Sequence, residues 1–208
     1  RLGASALMQG LADGYFVIAT SIAHFLGSTA QTPVTTSHSA FDEAVRDCQL
    51  RIERLLSNSS QERADSVTVD EIHKEVGRLL WDYCGMARTK EGLELALSRL
   101  PEIRQRFWDK VHVPGKGQEL NQSLERAGRV ADFLEFADIL IRDALAREES
   151  CGCHLREESQ TGENEALRQD DLYSHVAVWE HQGESQPPLR HQEELVFENV
   201  TPSQRSYK

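Results

Sequence analysis

The chain has 208 residues, enough for one or two compact units, and carries 34 acidic residues against 23 lysines and arginines, a formal charge of −11. That balance argues against nucleic acid as a main partner, because phosphate contacts need a basic surface, and against docking on anionic lipid through a basic patch. Four cysteines, at 48, 84, 151 and 153, with no basic-then-apolar leader, read as thiols of a cytosolic protein.

The first segment, Ala4 to about Gly27, sets small residues (Ala4, Ser5, Ala6, Gly10, Ala12, Gly14) between large apolar ones. A helix apolar on most sides is a buried one. Gln9, Asp13 and His24 interrupt the segment, which falls short of the ~20 predominantly apolar residues of a spanning helix, so no direct membrane span is expected. The rest of the chain offers this helix no obvious partner, and the chain reads as a piece of a larger protein. Gly27 to Ser39, rich in Ser, Thr, Gln and Pro, is a linker.

From Ser39 the pattern is helical. Ser39-Ala40-Phe41-Asp42 resembles a capping box, followed by Val45, Cys48, Ile52, Leu55 and Leu56 at helical spacing. Asn58 to Asp65 is a polar break. Thr68-Val69-Asp70-Glu71 is a cleaner capping box, with Ile72, Val76, Leu79, Leu80 and Tyr83 on one face and Gly85 as the stop. Thr89 opens the next helix, striped by Leu93, Leu97, Leu100, Ile103 and Phe107; Pro101 is expected to kink or split it. After the loop Val113-Pro114-Gly115-Lys116-Gly117, a long helix runs roughly from Gln118 to Glu148. Its apolar face includes Leu120, Leu124, Ala127, Val130, Leu134, Ala137 and Ile141.

The last sixty or so residues change character. Ser150 to Asp171 is polar and charged; Tyr173 to His181 and Leu195 to Val200 are strand candidates that pair as an antiparallel ribbon. The expected fold is mainly α. It comprises a bundle of three to four helices, a small C-terminal β ribbon and an N-terminal buried helix, divided at 1–34, 35–149 and 150–208.

Few residues suggest chemistry on their own. Cys151-Gly152-Cys153-His154 invites a metal, but the spacing is not C-x2-C and no second half follows. The same pair as a redox switch lacks a sign of a lowered thiol pKa, and a structural turn is the plainer reading. The eight histidines form no spacing with a mechanism, and Gly3, Gly10 and Gly14 do not have dinucleotide-binding spacing. Arg147-Glu148-Glu149 and Arg156-Glu157-Glu158 read as a solvated face.

Four blocks in order go further. Arg1-Leu2-Gly3-Ala4-Ser5-Ala6-Leu7-Met8 resembles the R-L-G-G/A-N/S-S/A-L segment of succinate dehydrogenase and fumarate reductase flavoproteins. Cys84-Gly85-Met86-Ala87-Arg88 resembles that family's C-G-M/V-x-R turn. The run from Arg147 to Glu158 resembles its R-x-E-S-R-G-x-H-x-R-E/D, and Arg168-Gln169-Asp170-Asp171 its R-x-D-D. Cys151 stands where many relatives carry Arg.

The resemblance implies the C-terminal portion of an FAD enzyme that interconverts succinate and fumarate by hydride transfer at flavin N5. Residues 1–34 would end the FAD-binding domain, 35–149 form the helical domain and 150–208 the tail. Arg1 matches the arginine that grips a substrate carboxylate, a task suited to a guanidinium fork. Ala6 and Leu7 match positions whose backbone N–H groups face the flavin, at a helix start whose positive end favours reduced flavin. The isolated chain is expected to be inactive, because most of the FAD and dicarboxylate site lies outside it. Implied partners are a membrane anchor and, linking to it, an iron–sulfur subunit, on the cytoplasmic face of the inner membrane. His154 and Arg156 would clamp the flavin and helical domains or face the iron–sulfur subunit. Two alternatives stand beside this: a fragment of an L-aspartate oxidase-like flavoenzyme, and a non-catalytic helical interaction module. An exposed apolar first helix counts against the last.

Overall fold

A computed structural model of the chain describes residues 3–30, 32–57, 65–117, 119–183 and 186–203. Two compact units emerge, residues 1–49 and 50–208. Arg1, and most of the polar break after Ser57, lie outside the described residues.

The first unit begins with α1 (Gly3–Ala12), one π-helical turn (Asp13–Val17) and α2 (Ile18–Ser28). The π turn is marked by the Ile18 N–H reaching back to the Asp13 carbonyl. The stretch Ala6–Ser28 is, by length and composition, long and apolar enough to cross a membrane, more than the sequence pattern suggested, because the helix runs unbroken through Asp13 and His24. None of its described side chains is buried; Leu7, Tyr15, Phe16 and Phe25 stand largely exposed. α3 (Ser39–Ser57) follows, entered through His38, whose Nδ1 accepts from the Ala40 N–H at 3.2 Å.

The second unit is built on α4 (Val69–Tyr83), α5 (Lys90–Lys110) and α6 (Gln122–Ala146). Each start is fixed by a side chain. Thr68 forms the expected capping box with Glu71, Thr89 accepts from the Gly92 N–H at 3.1 Å, and Asn121 accepts from the Leu124 N–H at 3.0 Å. Asn121 also donates to the Pro114 carbonyl at 2.9 Å, tying the loop before α6 to its first turn. A side chain at Gly115, where φ is +95°, would strike this amide.

The expected apolar stripes meet in one core. Ile72, Val76 and Leu79 of α4, Leu93, Leu100, Ile103 and Phe107 of α5, and Val130, Leu134 and Ile141 of α6 are buried together with Leu55 from the end of α3. Each such side chain contributes about 1.5–3 kcal/mol by leaving water. Pro101 does not split α5. It sits on the exposed face, where water can satisfy the carbonyl its missing N–H leaves free. Leu120 precedes the cap of α6 and is 96% exposed, so it is no part of the stripe.

Short parallel strand pairs staple the helices. β1 (Val67–Thr68), before α4, pairs with β3 (Val111–His112), after α5. β2 (Ala87–Arg88), between α4 and α5, pairs with β4 (Leu155–Arg156), beyond α6. After the short α7 (Asp170–Tyr173) comes an antiparallel ribbon of β5 (His175–Glu180) and β6 (Leu189–Glu194), held on α6 by a 2.8 Å bond from Trp179 Nε1 to Asp143. The second strand is thus not Leu195–Val200. Pairing Glu180 with Leu189 closes a shorter loop than the later run requires. The fold class is the expected one, mainly α with a small ribbon.

Candidate functional site

Three of the four blocks, far apart in sequence, converge at the C-terminal end of α6. The backbone brings them together first: β2 and β4 align Ala87 with Leu155 and Arg88 with Arg156, and the Glu157 N–H donates to the Arg88 carbonyl at 2.9 Å.

Arg156 is 3% exposed. Its Nη1 donates to the carbonyls of Ala144, Leu145 and Arg147 at 3.1, 3.3 and 3.4 Å, the groups a helix end leaves without partners. Its Nε donates to Glu158 at 3.2 Å. A fixed cation thereby meets the negative end of the α6 dipole. Ser150, fully buried, accepts from the Arg156 N–H at 2.9 Å and donates to the Arg156 carbonyl at 3.1 Å.

Glu149 is also buried. One oxygen accepts from Arg147 Nε and Nη2 at 2.8 and 2.6 Å, the other from the Gln169 N–H at 2.8 Å, which draws in the R-x-D-D block. There Arg168 forks onto Asp170 at 2.9 and 2.5 Å. Glu158 accepts from the Lys90 N–H at 2.5 Å and so caps the start of α5. Burial pushes its carboxyl up, but this backbone bond and Arg156 outweigh it and hold it below the ordinary range.

His154 lies between two arginines. Arg88 Nη1 stands 2.8 Å from Nδ1, and Nε2 lies 2.8 Å from the Arg147 carbonyl. A guanidinium only donates and a carbonyl only accepts, so Nδ1 is the acceptor and Nε2 carries the proton. Burial favours this neutral form, the Arg147 carbonyl opposes it, and the charges of Arg88, Arg156 and Arg147 add to burial; the net pKa falls below 6.5. Cys84 is buried and its thiol is pushed up by that burial, with Arg88 opposing. Gly85 is required here: a Cβ would stand 2.6 Å from the Trp81 carbonyl oxygen.

The arrangement is a structural clamp. Arg156, Glu149, Ser150 and His154 spend their polar atoms on one another and on the backbone, so the cluster presents no nucleophile with a base beside it. Within this chain the Arg156 guanidinium is buried against the end of α6, and His154 is half-buried beside it. The charge runs are only half solvated. Glu148 and Glu157 are exposed while Glu149 and Arg156 are buried. The sequence reading missed Glu149, Ser150 and Arg88; the available signal was that each lies inside a block already singled out. Among the described residues no group of three His, Cys, Asp or Glu is placed to hold a metal.

Of the residues expected to serve flavin and substrate, Arg1 is outside the described residues. Ala6 and Leu7 lie in the first turns of α1, Ala6 half-buried and Leu7 79% exposed. The first turn of α1 carries no acidic residue that would neutralise the positive end of the helix. A Cβ at Gly10 or Gly14 would meet nothing within 4 Å, so packing within the described chain does not demand either glycine.

Comparison with known proteins agrees with the geometry. A family profile described as fumarate reductase flavoprotein C-term matches residues 73–207. The fumarate reductase flavoprotein subunit of Haemophilus influenzae is 22% identical over 156 residues, 75% of this chain and 24% of that protein. The fumarate reductase flavoprotein subunit of Helicobacter pylori is 25% identical over 208 residues, all of this chain and 27% of that one. A solved structure of E. coli quinol fumarate reductase FrdA superposes with a TM-score of 0.67 at 20% identity, covering 83% of this chain and 28% of that one. The chain therefore spans about a quarter of the length of these relatives.

Proposed function

Since the chain belongs to the family of fumarate reductase flavoprotein C-terminal domains, we propose that it is the C-terminal part of an FAD-containing subunit that interconverts succinate and fumarate. The observation that carries this reading is the convergence of the C-G-M-A-R turn, the Arg147–Glu158 run and the R-Q-D-D segment on one clamp at the end of α6. Blocks that resemble a family one by one here also form one folded unit.

In this reading residues 1–34 complete the FAD-binding domain, 35–149 form the helical domain and 150–208 the tail. The apolar helix Ala6–Ser28 is then a core helix of the flavin domain, and its exposed apolar side chains and unconstrained Gly10 and Gly14 are contact surface for that domain. The residues present fit FAD: a helix start without acidic side chains, and a small residue at Ala6, suit an approach by the electron-rich edge of a flavin. Bound FAD supplies the hydride chemistry at its N5. This chain's share is to offer the backbone N–H groups of Ala6 and Leu7 to the ring and the Arg1 guanidinium to a substrate carboxylate, holding it in place. Electrons would pass through an iron–sulfur subunit to a membrane anchor, placing the protein on the cytoplasmic face of the inner membrane.

The test is the visible spectrum of the full-length protein. Bleaching of the flavin by succinate and recovery with fumarate are expected, and Arg1→Gln should abolish bleaching while the flavin stays bound. Reduction by L-aspartate instead would move the chain to the aspartate-oxidase reading, and absence of flavin would overturn both.

A further inference from the structure

Cys151, Gly152 and Cys153 form a feature that the clamp does not use. The segment is a tight turn: Cys151 and His154 exchange backbone hydrogen bonds at 2.9 and 3.0 Å, and Gly152 supplies the left-handed φ of +61° that such a turn needs. Neither cysteine is in a disulfide; Cys151 is half-buried and Cys153 exposed. Residues two apart have Cα atoms roughly 5–7 Å apart, and a turn draws them to the short end, inside the ~4.4–6.8 Å that a disulfide accepts. A metal is a poor alternative, because both nitrogens of the neighbouring His154 are engaged, with Arg88 and with the Arg147 carbonyl.

We propose that Cys151 and Cys153 are a reversible dithiol–disulfide pair that exchanges with small disulfides, Cys153 being the thiol that attacks first. The exposed Cys153 thiolate attacks one sulfur of a small disulfide RSSR and expels RS⁻, leaving a mixed disulfide. Cys151 then loses its proton, attacks the Cys153 sulfur and expels the second RS⁻. The pair is oxidised by two electrons, RSSR is reduced to two thiols, and a reducing thiol pool reverses both steps. Buried Cys84, its thiol held protonated, takes no part.

The experiment equilibrates the full-length protein with reduced and oxidised glutathione at a series of ratios, then unfolds and alkylates it and maps the peptides by mass. Cys151 and Cys153 should lose alkylation together, in a peptide lighter by two hydrogens, while Cys84 stays alkylated; excess dithiothreitol should restore both. Cys151→Ser should stop at the glutathione adduct on Cys153, with at least about tenfold more adduct than the unaltered protein, because the intramolecular resolving thiol is gone. Both thiols alkylated at every ratio, a glutathione adduct that never closes in the unaltered protein, or a bridge to Cys84 would each overturn the proposal.

Discussion

Replacing Arg156 by Met removes the cation while keeping an unbranched side chain of moderate bulk in the buried space. Three consequences add. The carbonyls of Ala144, Leu145 and Arg147 share a single Nη1, so they count as one charge-assisted bond, worth about 1.5–2 kcal/mol. The bond to the half-exposed Glu158 adds ~0.5 kcal/mol, and the lost charge at the end of α6 adds ~1 kcal/mol. The sum is roughly 3 kcal/mol, large against ordinary single-site effects. Arg156→Lys keeps the charge but cannot reach the helix carbonyls and Glu158 together, so about half that loss is expected. Urea unfolding of the full-length protein, followed by circular dichroism, measures the total; amide exchange over the last turn of α6 shows whether the loss is local. A loss under about 1 kcal/mol for Arg156→Met, or unchanged exchange at residues 143–147, would refute the reasoning that this arginine closes the helix.

Further outcomes follow from the same contacts. His154 has a folded-state pKa below its ordinary 6.5, so the unfolded chain takes up its proton first on acidification. Its contribution to stability is complete above pH 6.5 and is lost as pH falls from there through the folded value. Urea midpoints against pH should therefore fall more steeply for the unaltered protein than for His154→Gln, and parallel curves would contradict the neutral, Nε2-protonated assignment. Gly85→Ala should cost about 1–3 kcal/mol in thermal or urea unfolding, since its methyl would meet the Trp81 carbonyl oxygen at 2.6 Å. Thr68→Ala should cost ~1 kcal/mol by removing the cap of α4, and Thr68→Ser should recover most of it.

Much of the helical unit was legible because amphipathic periodicity is a local signal that the core then uses. Ile72, Val76 and Leu79, and Leu93, Leu100, Ile103 and Phe107, are where their spacing puts them. Caps were legible where a side chain acts within three residues, as at Thr68 and Thr89. The clamp was not, because burial of Glu149 and Arg156 depends on partners from 20 residues ahead and 12 behind, and a charged run has no periodicity that distinguishes its inward members. Two-residue parallel pairs such as β2 with β4 are too short for alternation to reveal them. The second ribbon strand went to a polar segment, Leu189–Glu194, because the β5 edge needs backbone partners more than it needs apolar side chains.

The two staples also set an order of assembly. β1 and β3 join residues 67 and 111, whereas β2 and β4 join residues 87 and 155 and cannot close until α6 is in place. The α4–α5 hairpin rests on nearer contacts and can form while the tail is still unstructured; the tail registers last, over the longest closed loop. The reverse order is expected on opening: native-state amide exchange should release the strand pair that carries Arg88 and Arg156, and with it the terminal cation of α6, before the α4–α5 hairpin.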